Sequence, residues 1–228
     1  MIIEKINTTL SKKFDVVIIG SGPAGIALAL QLEKKKLKIA LVEAGERFFS
    51  EESQENYTGE IVGSFPREHH VSRLRMFGGT TAHWGGTCRP LDEYDFEKWP
   101  INKKDLDIYL KNSAKLFKIN NSFKNERINE NLKLIEFQVS NVRFGNEFYE
   151  KIKRSKFIYL FLNSPAIKLQ GKDKLTSAVH CFSENEKKEF LISGRIFVLA
   201  TGGIENSRIL LIEKIKKSNL FNQDLPIG

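Results

Sequence analysis

The chain has 228 residues, of which 41% are hydrophobic and 28% are charged, and its formal net charge is +8 at pH 7. This ordinary globular composition excludes a disordered chain, a collagen-like fibre and a disulfide-rich scaffold. No apolar run approaches the ~20 residues that cross a bilayer, and residues 1–13 lack the apolar core of a signal peptide. Cys88 and Cys181 are too far apart for a metal motif or a disulfide framework. We therefore expect a reduced, cytoplasmic setting, no metal site and no transmembrane segment.

The positive charge is spread along the chain in short groups of lysines, such as 34–36, 103–104 and 216–217. Most of these groups fall at predicted helix ends or turns, where cations suit the solvent and the C-terminal helix dipole. This spread favours solvated faces over a nucleic-acid surface or a contact with an anionic membrane.

The first predicted unit covers residues 14–46 and has the order strand, turn, helix, strand. Phe14–Ile19 is a continuous apolar run that ends in glycine, which is typical of a strand buried on both faces. A helix is predicted over 23–36, and a second strand over 37–42. This order, within about thirty residues, is typical of a dinucleotide-binding βαβ unit.

The turn in this unit fits the pattern G-x-G-x-x-G. Gly20 would permit the tight turn, Gly22 would let the backbone approach a pyrophosphate, and Gly25 would let helix and strand pack closely. The phosphates would meet the free N–H groups at the start of the helix. Glu43 ends the second strand, where its carboxylate would accept both ribose hydroxyls and repel a 2′-phosphate. The residues predicted to hold the ADP half are Gly20, Ser21, Gly22, Pro23, Ala24, Gly25, Glu43 and Ala44. The motif alone does not separate FAD from NAD.

The periodicity fades over 47–100, where Gly, Pro, Thr and aromatic residues predict a functional loop rather than regular elements. A helical insertion is predicted over 101–155. Within it, an amphipathic helix over 102–117 has Asn102 as its N-cap and Asp105 at N3. A loop is predicted over 120–131, and a short helix over 145–154.

The last predicted section, 156–217, is a β-meander followed by a final strand and helix. The meander strands are predicted at 157–162, 166–170, 175–183 and 189–193, separated by turn residues. The apolar run 195–200 is the final strand, and the helix covers 204–217. The predicted fold is α/β: one doubly wound, Rossmann-like domain over 1–228, with the meander as a crossover before the last strand.

A second glycine-rich segment, RLRMFGGTTAHWGGTCRPLDEYD at 73–95, suits backbone that lies close to a large planar ligand. It resembles the glucose–methanol–choline (GMC) flavin oxidoreductases, in the branch that includes pyranose oxidase. The resemblance runs from Phe14 to Gly228 and also rests on 99–101, 143–145 and 198–208. It implies bound FAD in a domain of glutathione-reductase type. The further cofactor-binding residues that it implies are Arg75, Gly78, Gly79, Thr80, Thr81, His83, Trp84, Gly85, Gly86, Ala166, Ala200, Thr201 and Gly202.

His83 has three interpretations. Some members of the family attach their flavin covalently through a histidine at the matching place, so the resemblance implies a covalent bond or a non-covalent flavin contact. The third interpretation is a purely structural histidine. His69, His70 and His180 have no partner pattern and are predicted to be surface or core residues.

The resemblance implies oxidation of the CH–OH group of a sugar, polyol or other alcohol by hydride transfer to flavin. The catalytic histidine of the family, with a second histidine or asparagine beside it, belongs to a C-terminal part that this chain does not match. We therefore expect the substrate domain to be largely absent, and assign no catalytic residue. Two alternatives are a catalytically incomplete flavoprotein that needs a second chain, and an NAD-linked dehydrogenase that uses only the first motif.

Overall fold

The computed structural model describes residues 1–3, 13–62, 69–216 and 220. The predicted helix end at Lys217 and the resemblance over the last eight residues to Gly228 lie outside these ranges. The chain divides into two compact units, of which the first is Met1–Ala82 with Phe144–Gly228 and the second is His83–Arg143. Within the described ranges, no helix has both the length and the apolar character needed to cross a membrane.

The strands and helices are numbered separately in chain order. The strands are β1 (Ile2–Ile3), β2 (Phe14–Ile19), β3 (Ile39–Val42), β4 (Thr87–Cys88), β5 (Asn125–Arg127), β6 (Lys133–Ile135), β7 (Gln138–Val139), β8 (Ile158–Phe161), β9 (Ala166–Lys172), β10 (Leu175–Ser183) and β11 (Lys188–Leu199). The α-helices are α1 (Pro23–Glu33), α2 (Glu51–Glu55), α3 (His69–Ser72), α4 (Lys103–Phe117), α5 (Phe144–Arg154) and α6 (Gly203–Ile215), and 3₁₀ turns cover Gly79–Ala82 and Glu93–Phe96.

The first unit is built on a seven-stranded sheet with the order β1-β8-β3-β2-β11-β10-β9. The strands from β1 to β11 in this order are parallel, whereas β9, β10 and β11 form an antiparallel meander. Strand β11 belongs to both parts, because it pairs with β10 over residues 188–193 and with β2 over residues 194–199. The prediction of a Rossmann-like sheet with a meander crossover is confirmed.

The core follows from the two-residue alternation of the central strands. Val17 and Ala40 belong to a buried cluster that also contains Val179 and Ile192 of the meander. Their neighbours in sequence point to the opposite face. The residues on this opposite face are also buried, and Ile18 has no exposed surface. Helix α1 packs against β2 and β3. The parallel strands are therefore covered on both faces, which holds their carboxyl ends in place.

Two predicted strands differ from the structure. The prediction that 157–162 is the first meander strand is wrong, because β8 lies in the parallel sheet with Ile158 opposite Ile39. Its apolar residues on both faces were the signal for a parallel strand. The predicted break between 189–193 and 195–200 is also wrong. Gly194 lies inside one continuous strand, where an added Cβ would be 2.6 Å from Cγ2 of Val17.

Other differences are local. Helix α1 ends at Glu33 instead of residue 36, because Lys36 has a left-handed φ of 57°. The short strand β1, for which no element was predicted, pairs with β8. The predicted loop at 120–131 contains β5, which pairs with β6.

The second unit contains α4 and two small antiparallel pairs, β4 with β7 and β5 with β6. Asp105 accepts a hydrogen bond of 2.8 Å from the backbone N–H of Asn102, which confirms the predicted helix start. The indole N–H of Trp84 donates to the carbonyl of Val142 (3.1 Å), and its ring packs against Phe117.

Gly194→Ala is expected to lower the free energy of unfolding by about 1–3 kcal/mol, because the new methyl group would overpack the buried Val17 side chain. Urea denaturation measures this change. Gly59→Ala is the matched control, since a Cβ there meets nothing within 4 Å. Equal stability of the two variants would contradict the packing explanation.

Candidate dinucleotide-binding cleft

A cleft with a volume of about 1720 Å³ opens where β2, β3 and β11 end. All of its lining residues belong to the first unit. In open α/β sheets, ligands bind outside the carboxyl ends of the strands, where the topology reverses. The cleft exceeds the ~300–1,000 Å³ of pockets for drug-sized ligands, so it has room for an extended dinucleotide.

The three glycines of the first motif have different environments. Gly20 has a φ of +102°, and an added Cβ would lie 2.6 Å from the carbonyl carbon of Ala200. A Cβ on Gly25 would collide with the carbonyl oxygen of Gly20, so this glycine lets α1 approach β2. A Cβ on Gly22 would meet nothing within 4 Å and would point into open space. Packing within the described ranges therefore does not require glycine at position 22, whereas close approach of a ligand would.

The N-terminus of α1 opens into this cleft. Gly22 is the N-cap, Pro23 is the first helical residue, and the first turn contains no acidic residue. Gly22 has no side chain to satisfy the first free N–H groups, so these groups and the positive end of the helix dipole are available to an anion. The arrangement fits a pyrophosphate.

Glu43 lines the cleft but is only 6% exposed. Its Oε2 accepts hydrogen bonds from the backbone N–H of Ser21 (3.1 Å) and from its hydroxyl (2.5 Å), while Oε1 accepts from the N–H of Gly45 (2.8 Å). A carboxylate has about four acceptor positions. About one acceptor position of Glu43 is therefore left for a ribose hydroxyl. The sequence, in contrast, predicts that this carboxylate accepts hydrogen bonds from both ribose hydroxyls.

The start of the second glycine-rich segment packs against the first motif. The N–H of Gly78 donates to the carbonyl of Ser21 (3.0 Å), and an added Cβ on Gly79 would lie 3.2 Å from Cα of Gly22. Gly79 and Thr80 line the cleft.

Gly78 and Thr81 lie behind this lining. The hydroxyl of Thr81 donates to the carbonyl of Gly78 (2.7 Å) and accepts from the N–H of Phe144 (3.1 Å). A Cβ on Gly78 would lie 2.6 Å from Cα of Gly145. Through these contacts, Gly78 and Thr81 hold the start of the second glycine-rich segment against the start of α5.

Arg75 lines the cleft and is 5% exposed, but its guanidinium group already has partners in the protein. It donates to the hydroxyl of Ser53 (2.6 Å) and forms an ion pair with Glu184 (2.9 Å). The structure therefore gives this predicted cofactor residue a further role, since it ties the segment before the glycines to the meander.

The lining of the cleft also contains Ala166, Ala200, Thr201 and Gly202, as well as Ala44, which follows β3. Gly202 has a φ of +87° and is the N-cap of α6, and its added Cβ would also meet nothing within 4 Å. Fourteen of the predicted residues therefore line one cleft: Gly20, Ser21, Gly22, Pro23, Ala24, Glu43, Ala44, Arg75, Gly79, Thr80, Ala166, Ala200, Thr201 and Gly202.

The remaining predicted residues of the second segment, His83, Trp84, Gly85 and Gly86, belong to the second unit. His83 and Gly85 are exposed, whereas Gly86 is buried with a φ of +75°. Their part in cofactor binding stays a prediction.

Sequence reasoning missed a charged cluster in the cleft wall. The carboxylate of Glu205 pairs with Arg73 (2.9 Å) and Arg208 (2.6 Å), and the Arg73 guanidinium lies 4.0 Å from the centre of the Tyr57 ring. Arg73 and Glu205 are 132 positions apart, so no local pattern could have paired them.

The pKa values of this cluster keep it in one charge state. Burial acts to raise the pKa of Glu205, but hydrogen bonds from Arg208 and Arg73 outweigh it and hold that pKa below its usual value. Burial, followed by the negative charges of Glu43 and Glu205, raises the pKa of Tyr57 to about 12. At neutral pH Glu205 is therefore ionised and Tyr57 is a neutral phenol.

The first two glycines of the turn should respond differently to one methyl group. Gly20→Ala is expected to destabilise the fold by at least ~1–3 kcal/mol, because of its positive φ and its contact with Ala200. Gly22→Ala should leave thermal unfolding unchanged but weaken binding of a dinucleotide at least about tenfold, because the methyl group occupies the cleft. Differential scanning calorimetry and isothermal titration with ADP measure the two effects. Unchanged ADP affinity in Gly22→Ala would contradict a pyrophosphate at this position.

Two solved structures show a similar fold at low sequence identity. One is pyridoxine 4-oxidase from Mesorbium loti, with 13% identity and a TM-score of 0.55, where the match covers 87% of this chain and 51% of that chain. The other is formate oxidase, with 15% identity and a TM-score of 0.58, covering 88% of this chain and 47% of that chain. The chain thus spans about half the length of these structures, and the similarity concerns the fold.

Among curated proteins, none matches the sequence significantly. A family model described as "Pyridine nucleotide-disulphide oxidoreductase" matches residues 14–225, which is nearly the whole chain. This match, together with the parallel sheet and the glycine turn, supports an FAD-binding oxidoreductase domain. The chain belongs to the pyridine nucleotide-disulphide oxidoreductase family.

Proposed function

We propose that this chain holds FAD in an oxidoreductase of the GMC type, which oxidises the CH–OH group of a sugar, polyol or other alcohol. One observation carries the cofactor assignment. The uncapped N-terminus of α1 opens at Gly22 into a cleft large enough for a dinucleotide, and no contact among the described residues requires glycine there.

The choice of FAD over NAD is supported by the second glycine-rich segment. Gly79 packs closely on Gly22, so the two motifs form one continuous surface. The GMC resemblance lies in this segment. The names of the two similar structures, pyridoxine 4-oxidase and formate oxidase, agree with oxidase chemistry in proteins of this fold.

Disulfide chemistry, which the name of the family includes, is not supported by the cysteines of this chain. A reactive cysteine needs an accessible thiol with a lowered pKa. Cys181 has no exposed surface in β10, and burial raises the pKa of its thiol. Cys88 belongs to the second unit, and burial raises the pKa of its thiol as well.

The residues of the chain would then have separate tasks. The N–H groups that follow Gly22 would hold the diphosphate, and Glu43 would accept a hydrogen bond from a ribose hydroxyl. Gly79 and Thr80 would border the cofactor and exclude water from it. Bound FAD would supply the hydride acceptor. We assign no catalytic base to this chain, and the alternative of an incomplete flavoprotein that needs a second chain is not favoured by the fold or the family match.

The purified chain is expected to be yellow, with an absorbance band near ~450 nm from bound flavin. Denaturation of His83→Ala, in which the flavin–histidine bond proposed below cannot form, should release FAD, and the band of the unmodified chain should bleach when a sugar or polyol substrate is added without oxygen. Gly22→Ala is the control, because it should fold normally but lose most of the flavin. Binding of NAD with no flavin would contradict the proposal and favour the NAD-linked alternative.

We also propose that His83, an exposed histidine of the second unit, bonds covalently to the flavin: an imidazole nitrogen would replace one hydrogen of a ring methyl group, the two electrons released would reduce the flavin, and dioxygen would reoxidise it. Acid precipitation of the yellow protein should then leave the colour in the pellet, and His83→Ala should move it to the supernatant. His180→Ala is the control, because that side chain bonds to Gln170 in the meander. A colourless pellet from the unmodified chain would contradict the covalent bond while leaving FAD binding intact.

A further inference from the structure

The ion pair between Arg73 and Glu205 joins two segments that lie beside the ends of β3 and β11. Strand β2 lies between β3 and β11 in the sheet. The Arg73 segment runs beside the chain that follows β3, since Met76 forms a bridge with Glu46. Glu205 lies in the first turn of α6, directly after β11.

The strand order and the spacing between strands indicate where the ion pair lies. Neighbouring strands are about 4.8 Å apart, so the ends of β3 and β11 are separated by roughly 10 Å. A bond that joins segments beside these two strand ends would span the carboxyl end of β2, where Gly20 and Gly22 form the turn. Arg73 and Glu205 both line the cleft.

Low solvent exposure and a short distance stabilise the Arg73–Glu205 ion pair. The side chains of Arg73 and Glu205 are only 18% and 14% exposed, and their N–O distance is 2.9 Å. Tyr57 lies against the guanidinium group and orients it. Arg208 pairs with the same carboxylate, but it comes from the same helix and is 52% exposed. Of the two arginines that pair with Glu205, Arg73 is the one that comes from a distant segment of the chain.

We propose that the Arg73–Glu205 ion pair is a clasp that retains the bound dinucleotide by closing the cleft across its diphosphate. Arg73 is then a positioning residue, and its positive charge also lies near the phosphates. This inference rests on the proposed binding of FAD. It adds a specific expectation, namely that the clasp controls how fast the cofactor leaves.

The experiment measures FAD release from the full chain carrying His83→Ala, in which the proposed flavin–histidine bond cannot form. The FAD-loaded protein is diluted, and fluorescence anisotropy follows the loss of bound flavin. Adding Arg73→Gln should speed release by about tenfold, which corresponds to ~1.4 kcal/mol. Adding Arg208→Gln should change the rate by no more than about twofold, because its pair is exposed and spans no gap.

A charge exchange separates the clasp from a simple packing role. Arg73→Glu combined with Glu205→Arg restores the bond in reverse and should return release toward the parent rate, whereas lost packing would not be restored. Circular dichroism confirms that each variant is folded, and if the exchange variant does not fold, the comparison of Arg73→Gln with Arg208→Gln decides alone. Equal release rates in Arg73→Gln and the parent would overturn the clasp and leave FAD binding standing. A parent chain that binds no FAD would overturn both proposals.

Discussion

Three neighbouring strands end together at the turn after β2, and the backbone there has almost no free space. The N–H of Gly20 donates to the carbonyl of Val42 at the end of β3, and the N–H of Ala200 donates to Ile19, each at 2.7 Å. A side chain on Gly20 would collide with Ala200, and one on Gly25 would collide with Gly20 itself. This close approach places the start of α1 directly at the edge of the sheet, and the rest of the cleft is arranged around it.

The electrostatics of the cleft follow from that placement. The positive end of α1 faces the open space beside Gly22, while two acidic side chains of the cleft already have hydrogen-bond partners in the protein. Glu43 is bonded to Ser21 and Gly45, and Glu205 is held between two arginines. An anionic diphosphate thus meets helix N–H groups and few unpaired carboxylates, which is the balance that a dinucleotide requires.

Several elements were predictable because their signals are local. The glycine turn of the βαβ unit and the cap of α4 by Asn102 and Asp105 each depend on residues that lie within a few positions of one another in the sequence. The sequence predicts β8 as a meander strand, although its apolar run is typical of a parallel strand, because such a run does not say which strand it pairs with. It also predicts two strands on either side of Gly194, which lies within one strand against Val17, because a glycine in a strand weakens the strand pattern.

The order of residues was enough to predict the fold class, the position of the phosphate-binding turn and the family resemblance, because glycine spacing and hydrophobic periodicity are properties of neighbouring residues. How the individual side chains are used depends on the folded chain. It bonded Arg75 to Glu184 and Ser53, limited the free acceptors of Glu43, and brought Arg73 to Glu205. These contacts join residues from 22 to 132 positions apart, apart from the local bond of Glu43 to Gly45. Which distant groups meet depends on strand order and on burial, which no local pattern specifies.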